Sequence, residues 1–187
     1  MHIALLRAVN VAGHGAIAMS ALKDLMAELG LKDAATLLQS GNLVFRTEGG
    51  EDAALETLLE DGMRRRLSLA ADVMVRSAPE WARVIAANPF PQEAASDPGR
   101  LLVLALKVAP AAGAVQALQA VLPGPERIMG EGRNLYAVYP EGVGRSKLTT
   151  ALIERKLGTK VTGRNWNTAL KLAAATGLAP TAPSPPR

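Results

Sequence analysis

The sequence contains no cysteine, only two histidines and only two residues each of Trp, Tyr and Phe. The lack of cysteine excludes disulfides, thiolate catalysis and zinc sites built on sulfur. His2 lies at the terminus and His14 in a predicted loop, so a Ser-His-Asp triad is poorly supplied, and no histidine-carboxylate spacing indicates a metal. We predict no metal and no cofactor. Catalysis is undecided, because anion-assisted chemistry by arginine and asparagine stays open.

Long apolar runs are also missing. No segment approaches the ~18 residues of a membrane span, and the apolar start of the chain is interrupted at Arg7, too early for a signal peptide. We therefore expect a cytoplasmic protein with no membrane partner.

The charge that is present is weakly positive, at +4 with an isoelectric point near 9.7. This balance permits an anionic partner without requiring one. The tight basic run, residues 64–66, interrupts a helical pattern and is better explained as a solvated helix face than as a nucleic-acid patch.

One order of elements, strand-helix-strand-strand-helix-strand, occurs twice along the chain. The first copy runs from Ile3 to Ser77 and the second from Arg100 to Thr162, each followed by a further helix. With right-handed crossovers, each copy predicts a four-stranded antiparallel sheet of ferredoxin-like type. The predicted fold class is thus α+β, with two β-α-β-β-α-β units in tandem.

The sequence predicts the following strands: 3–9, 36–39, 43–47, 72–76, 101–108, 127–129, 135–139 and 160–162. Residues 90–99 are polar and contain proline, so we place the boundary between units there. The predicted domains are residues 1–90 and 100–178, and residues 179–187 form a proline-rich tail that we expect to be disordered.

Topology brings polar residues together at one end of each predicted sheet. In the first unit they are Arg7, Asn10, Gly13, Ser40, Gly41 and Asn42. In the second unit they are Arg145, Ser146, Lys147, Arg164, Asn165 and Asn167. Cations beside helix N-termini are suited to phosphate or carboxylate, so both groups are candidate anion sites. A purely structural explanation is also open: Asn10 and Asn42 as turn residues, Ser146 and Asn165 as helix caps, and arginines bound within their own chain.

Several separated motifs resemble the bacterial domain-of-unknown-function family 1697, over residues 3 to about 176. The motifs are Arg7-Ala-Val-Asn-Val-Ala-Gly13, Met19-Ser-Ala-Leu22, Gln39-Ser-Gly-Asn-Leu-Val-Phe45, Asn88-Pro-Phe90, Gly144-Arg-Ser-Lys-Leu148 and Thr162-Gly-Arg-Asn-Trp-Asn-Thr168. The resemblance implies a two-subdomain α+β protein with no established activity. This chain has Ala12-Gly13 where the family usually has two glycines, which weakens the case for a ligand approaching the backbone at Ala12.

Binding of a small anionic ligand is the function we predict. RNA binding is the first alternative, because RNA-recognition motifs share this topology, but strands 3–9 and 101–108 lack the aromatics that stack bases. An interaction scaffold without a ligand is the second. Both faces of strand 101–108 are apolar, which predicts a sheet covered on both sides. The oligomeric state is not predicted.

Overall fold

The computed structural model describes residues 1–7, 18–37 and 41–177, without the side chains of Met19 and Glu131. Asn10, Gly13, His14, Ser40 and the proline-rich tail therefore lie outside the described residues. The strands are β1 His2–Leu6, β2 Lys32–Thr36, β3 Asn42–Arg46, β4 Val73–Ser77, β5 Leu101–Leu106, β6 Arg127–Glu131, β7 Asn134–Val138 and β8 Val161–Asn165. The helices are α1 Met19–Glu28, α2 Asp52–Leu67, α3 Ala78–Ala86, α4 Pro91–Ser96, α5 Ala114–Ala120, α6 Thr150–Leu157 and α7 Trp166–Ala175.

The strands form two four-stranded antiparallel sheets with the same connectivity. The first has the order β2-β3-β1-β4 and the second the order β6-β7-β5-β8. Both orders are those of a ferredoxin-like unit, and the predicted fold class, two similar α+β units in tandem, is confirmed.

Apolar spacing explains how each sheet acquires its helical layer. Leu22, Leu25 and Met26 of α1 share one face and are buried against the first sheet together with residues of α2. α5 and α6 cover the second sheet in the same way, through residues such as Leu118 and Ile153. Each unit thus has its own apolar core.

Burial also extends to the sheet face that α5 and α6 do not cover. Leu104 and Leu106 belong to the helix-covered core, while Leu101, Val103 and Ala105 on the opposite face are at most 1% exposed. Both faces of β5 are therefore buried, as its two-sided apolar pattern predicts.

Three elements differ from the sequence prediction. The last strand was predicted to end at Thr162, but β8 continues to Asn165 and so includes Arg164. The second strand begins at Lys32 instead of Thr36, because an edge strand with a register shift between Lys32 and Ala35 follows neither apolar alternation nor high β propensity. Residues 91–96, expected to be an irregular boundary, form α4 with Pro91 at its first turn, where the missing N–H of proline costs nothing.

The chain forms two compact units. One contains residues 1–83 and the part of α7 that begins at Leu172, and the other contains residues 84–171. The predicted boundary at residues 90–100 stays a prediction. None of the helices in the described ranges is long and apolar enough to cross a bilayer.

Candidate functional site

The first predicted cluster lies where β1 ends beside the start of β3. The Leu6 N–H donates to the Gly41 carbonyl at 2.8 Å, which places Arg7 next to Gly41 and Asn42 as topology requires. The Arg7 guanidinium lies 3.4 Å from the Asp72 carboxylate. Asn42 is buried, and its side-chain amide donates to the Leu37 carbonyl at 3.0 Å. This end of the sheet therefore holds a cation beside an acid and an amide that braces the hairpin.

The second predicted cluster is divided between two edges of its sheet. Ser146 donates its hydroxyl to the Glu126 carboxylate, immediately before β6, and accepts from the Leu148 N–H at 2.9 Å. Arg164 lies in β8, at the opposite edge of the order β6-β7-β5-β8. Three strand spacings separate these edges, roughly 14 Å. The structure therefore does not bring Ser146 and Arg164 together, and Arg145 and Lys147 are exposed beside Ser146.

Arg164 is buried, and its guanidinium donates to the Thr162 hydroxyl at 2.7 Å and to the Gly163 carbonyl at 2.9 Å. Its burial disfavours the charged form and lowers the pKa of the guanidinium to about 10. Asn165 accepts from the Thr168 N–H at 2.9 Å and so caps α7, while Asn167 is exposed. Arg164 and Asn165 therefore bind within their own segment.

The internal repeat identifies a third location, because equivalent backbone bonds mark equivalent residues. The bond from Leu6 N–H to Gly41 corresponds to the bond from Leu106 N–H to the Arg133 carbonyl, at 2.9 Å. In the first unit the Arg7 N–H also donates to the Asp72 carbonyl at 2.9 Å.

The second unit repeats this further bond between Lys107 N–H and the Lys160 carbonyl, again at 2.9 Å. Lys107, Arg133 and Lys160 therefore occupy the positions of Arg7, Gly41 and Asp72.

The two sheet ends differ in charge. Arg7, Gly41 and Asp72 sum to zero, whereas Lys107, Arg133 and Lys160 sum to +3. Lys107 and Lys160 lie opposite each other on neighbouring strands, one position beyond the paired Leu106 and Val161. Directly opposed positions of an antiparallel pair place their side chains on the same face of the sheet.

Lys160 also lines a groove of about 440 Å³. Its walls include Arg155, Thr159 and Lys160 and one acid, Glu154. One oxygen of Glu154 accepts from the Val161 N–H at 3.1 Å, and the other lies 3.9 Å from the Lys160 ammonium. Positive charge therefore exceeds negative charge around this groove.

The sequence interpretation did not include Lys107, Arg133 or Lys160 in a site. One feature of the sequence does indicate this location: Lys107 follows β5 as Arg7 follows β1, so the internal repeat makes the two residues equivalent. Arg133 and Lys160 were missed because they lie at separate strand ends that only the register of the sheet joins.

Metal chemistry has no obvious centre in the part of the chain that the structure describes. No group of three or more metal-ligating side chains converges in residues 1–7, 18–37 and 41–177. His2, whose ring stacks on Phe45 with centroids 5.7 Å apart, has its pKa lowered chiefly by burial.

Comparisons with known proteins agree with the fold and add no activity. A family model described as "Protein of unknown function (DUF1697)" matches residues 1–136. Among solved structures, the conserved bacterial protein SP0830 from Streptococcus pneumoniae superposes with a TM-score of 0.71 at 20% identity, covering 92% of this chain and 96% of that one. At that identity the likeness shows the fold alone. No curated protein is significantly similar in sequence.

Proposed function

The chain belongs to the protein family of unknown function DUF1697, and we propose that it binds a small phosphate- or carboxylate-bearing ligand at the β5–β8 end of its second sheet. One observation carries the proposal: Lys107 and Lys160 lie directly opposite each other where Arg7 and Asp72 of the first unit form an ion pair, and Arg133 lies at the same sheet end, paired with Leu106. We call this group the cationic sheet end.

An anion at this sheet end would join the two strands. Lys107 and Lys160 are held opposite each other by a backbone bond, so an anion between them can contact both ammonium groups. A hydrogen bond to a charged group contributes roughly 1.5–3 kcal/mol.

The groove favours a small ligand. Arg155 and Lys160 line it together with Thr159, whose hydroxyl already accepts from the Val108 N–H at 3.0 Å. The groove adjoins the C-terminus of α6 at Gly158, and the partial negative charge of a helix C-terminus opposes an anion. Binding therefore depends on the cationic side chains, and their removal is a decisive test.

Thermal unfolding in rising phosphate at constant ionic strength tests the proposal. Saturation at ten times the dissociation constant stabilises the folded state by about 1.4 kcal/mol, which raises Tm by roughly 3–5 °C for a chain of this size. The double variant Lys107→Gln/Lys160→Gln should keep the fold and lose this rise.

Two further variants make the test specific. Lys23→Gln removes an exposed cation from α1 in the first unit and should leave the phosphate effect unchanged. Glu154→Gln keeps an oxygen for the Val161 N–H but removes the acid from the groove, so it should strengthen the effect.

The cluster predicted from sequence provides the competing outcome. If Arg145→Gln/Lys147→Gln abolishes the phosphate effect and Lys107→Gln/Lys160→Gln does not, the ligand binds beside Ser146 and the cationic sheet end is not the site. If wild-type protein shows no phosphate-dependent rise, anion binding itself is wrong.

A further inference from the structure

The edge strand β6 is paired with β7 on one side only in the described part of the second sheet. Backbone bonds from Leu106 to Arg133 and from Tyr139 to Arg100 show that the odd-numbered residues of β7 bond to β5. The even-numbered residues of β7 therefore bond to residues 127, 129 and 131 of β6. The backbone N–H and C=O groups that face away from β7 therefore belong to Glu126, Ile128 and Gly130.

Part of this edge is already occupied by a glutamine of α5. The Gln119 side chain accepts from the Ile128 N–H at 2.6 Å and donates to the Glu126 carbonyl at 3.2 Å. A trans peptide points its C=O and N–H in opposite directions. Since the Met129 N–H and C=O face β7, the Ile128 carbonyl and the Gly130 N–H face outward.

Exposed apolar surface accompanies these backbone groups. Met129 is 50% exposed, and a groove of about 520 Å³ lies between β6 and α5, lined by Val115, Ile128 and Met129 among others. An exposed edge with apolar side chains is a template for pairing with another strand.

The equivalent edge of the first unit is protected. β2 has a register shift between Lys32 and Ala35, and Asp33 within it has a φ of 52°. Lys32 and Asp33 form ion pairs with Glu48 and Arg46 of their own unit. A bulge of this kind hinders edge pairing, whereas β6 pairs with β7 in an unbroken register, with a glycine, Gly130, at its one positive φ of 128°.

We propose that β6 pairs antiparallel with β6 of a second copy of this chain, about a two-fold axis through Met129. The sequence Arg127-Ile-Met-Gly-Glu131 selects this partner, because that register places cationic position 127 opposite acidic position 131 twice. Opposite charges in facing positions of a strand pair stabilise it.

The backbone supports the same register. With Met129 opposite Met129, each Ile128 faces Gly130 of the other copy, and each outward Gly130 N–H meets an outward Ile128 carbonyl. Two such bonds from Gly130 and two from the Ile128 N–H form once Gln119 withdraws its amide, because that amide lies along residues 126–128 where the second strand runs. The contact joins two second-unit sheets into one of eight strands, and a contact this small gives a weak, concentration-dependent dimer.

Sedimentation velocity from about 10 to 300 µM measures the dimer, whose dissociation constant we expect to be on the order of 10–100 µM. Met129→Lys places two cations opposite each other and should weaken the dimer at least about tenfold. Val143→Lys alters another half-exposed apolar residue of the same unit and should leave the dimer unchanged.

A charge exchange fixes the register. Arg127→Glu and Glu131→Arg each place like charges opposite each other in both pairs, so each variant alone should be monomeric. Mixed in equal amounts they should form a heterodimer, since acids at both positions of one chain then face cations at both positions of the other. This recovery also shows that losing the contacts of Arg127 with Glu93 and Phe90 leaves the fold intact.

Three results overturn the proposal: a wild-type chain that stays monomeric throughout this range, a Met129→Lys dimer as strong as wild type, or no heterodimer in the mixture. Gln119→Ala adds one more expectation, because releasing the Ile128 N–H should strengthen the dimer. A weaker dimer in Gln119→Ala contradicts the geometry proposed here.

Discussion

Arg76 and Arg164 hold the same position in the two units and have different surroundings. Arg76 lies opposite Ile3 and Arg164 opposite Val103, each one residue before the end of the fourth strand of its unit. Arg76 is fully buried, 3.3 Å from the Glu80 carboxylate and 3.9 Å from that of Glu56.

The equivalents of these two acids in the second unit are neutral. Glu80 follows Arg76 by four residues, as Thr168 follows Arg164. Glu60 accepts from the first N–H of β4 as Glu154 accepts from the first N–H of β8. Four residues earlier, Glu56 therefore corresponds to Thr150.

The comparison shows that one scaffold distributes charge in two ways. The first unit balances its cations with acids at matched positions, Arg76 with Glu56 and Glu80, and Arg7 with Asp72. In the second unit the equivalent acids are replaced by threonine and lysine. The fold is preserved because the backbone bonds are the same in both, while the second unit has more positive charge at the equivalent positions.

The largest expected effect separates the two arginines. Arg76→Met should destabilise the protein by about 3–5 kcal/mol, because it leaves the buried carboxylate of Glu56 without its cation. Arg164→Met should cost only about 1–2 kcal/mol, the loss of hydrogen bonds to a hydroxyl and a carbonyl. Urea unfolding followed by circular dichroism measures both.

A double variant is the control for the Arg76→Met result. Glu56→Gln in the Arg76→Met background keeps an acceptor for the Val75 N–H, now 2.9 Å from Glu56, and removes the orphaned charge. The double variant should therefore be more stable than Arg76→Met alone. Equal losses at Arg76 and Arg164 would contradict the difference between the units.

Alkaline pH should act on the second unit, which contains both tyrosines. Burial raises the pKa of Tyr136 and of Tyr139 to about 12. The unfolded chain loses these protons near pH 10, so their contribution to stability is complete below pH 10 and is lost between about pH 10 and 12.

Arg164, with its pKa lowered to about 10, changes stability in the opposite direction over this range, because the unfolded state holds the additional proton. Two tyrosines outweigh one arginine, so stability should fall. Tyr139→Phe, whose hydroxyl donates to the Leu148 carbonyl at 3.3 Å, should reduce the fall measured by urea titration from pH 9 to 11.5. An unchanged slope would show that Tyr139 ionises as readily folded as unfolded.

The helix caps give the smallest effects. Asn165→Ala should cost about 1 kcal/mol, because the Thr168 N–H loses its acceptor. Ser77→Ala should cost less, since the equivalent bond from Glu80 N–H to the Ser77 hydroxyl is longer, at 3.3 Å. Thermal unfolding compares the two. A phosphate effect lost on Asn165→Ala with no loss of stability would instead assign Asn165 to a ligand.

The sequence predicted the fold better than the site, for a physical reason. Apolar spacing and turn residues are local, so β1, α1 and the hairpin at Gly41 follow directly from them. The position of β2 was predicted wrongly because its residues lie at an irregular sheet edge and do not follow a local apolar pattern. The cationic sheet end joins Lys107 and Lys160, 53 positions apart in the sequence, and this pairing depends on a register that no local pattern specifies.

Nuclear magnetic resonance tests the central claim, that the second unit uses its excess charge to hold an anion. In a phosphate titration at constant ionic strength to about ten millimolar, where a weak charge-assisted site is populated, the amides of Lys107, Val108 and Lys160 should shift and saturate. Those of Arg7, Gly41 and Asp72 should not. Saturating shifts at the first sheet end or beside Ser146, or none anywhere, would contradict the account.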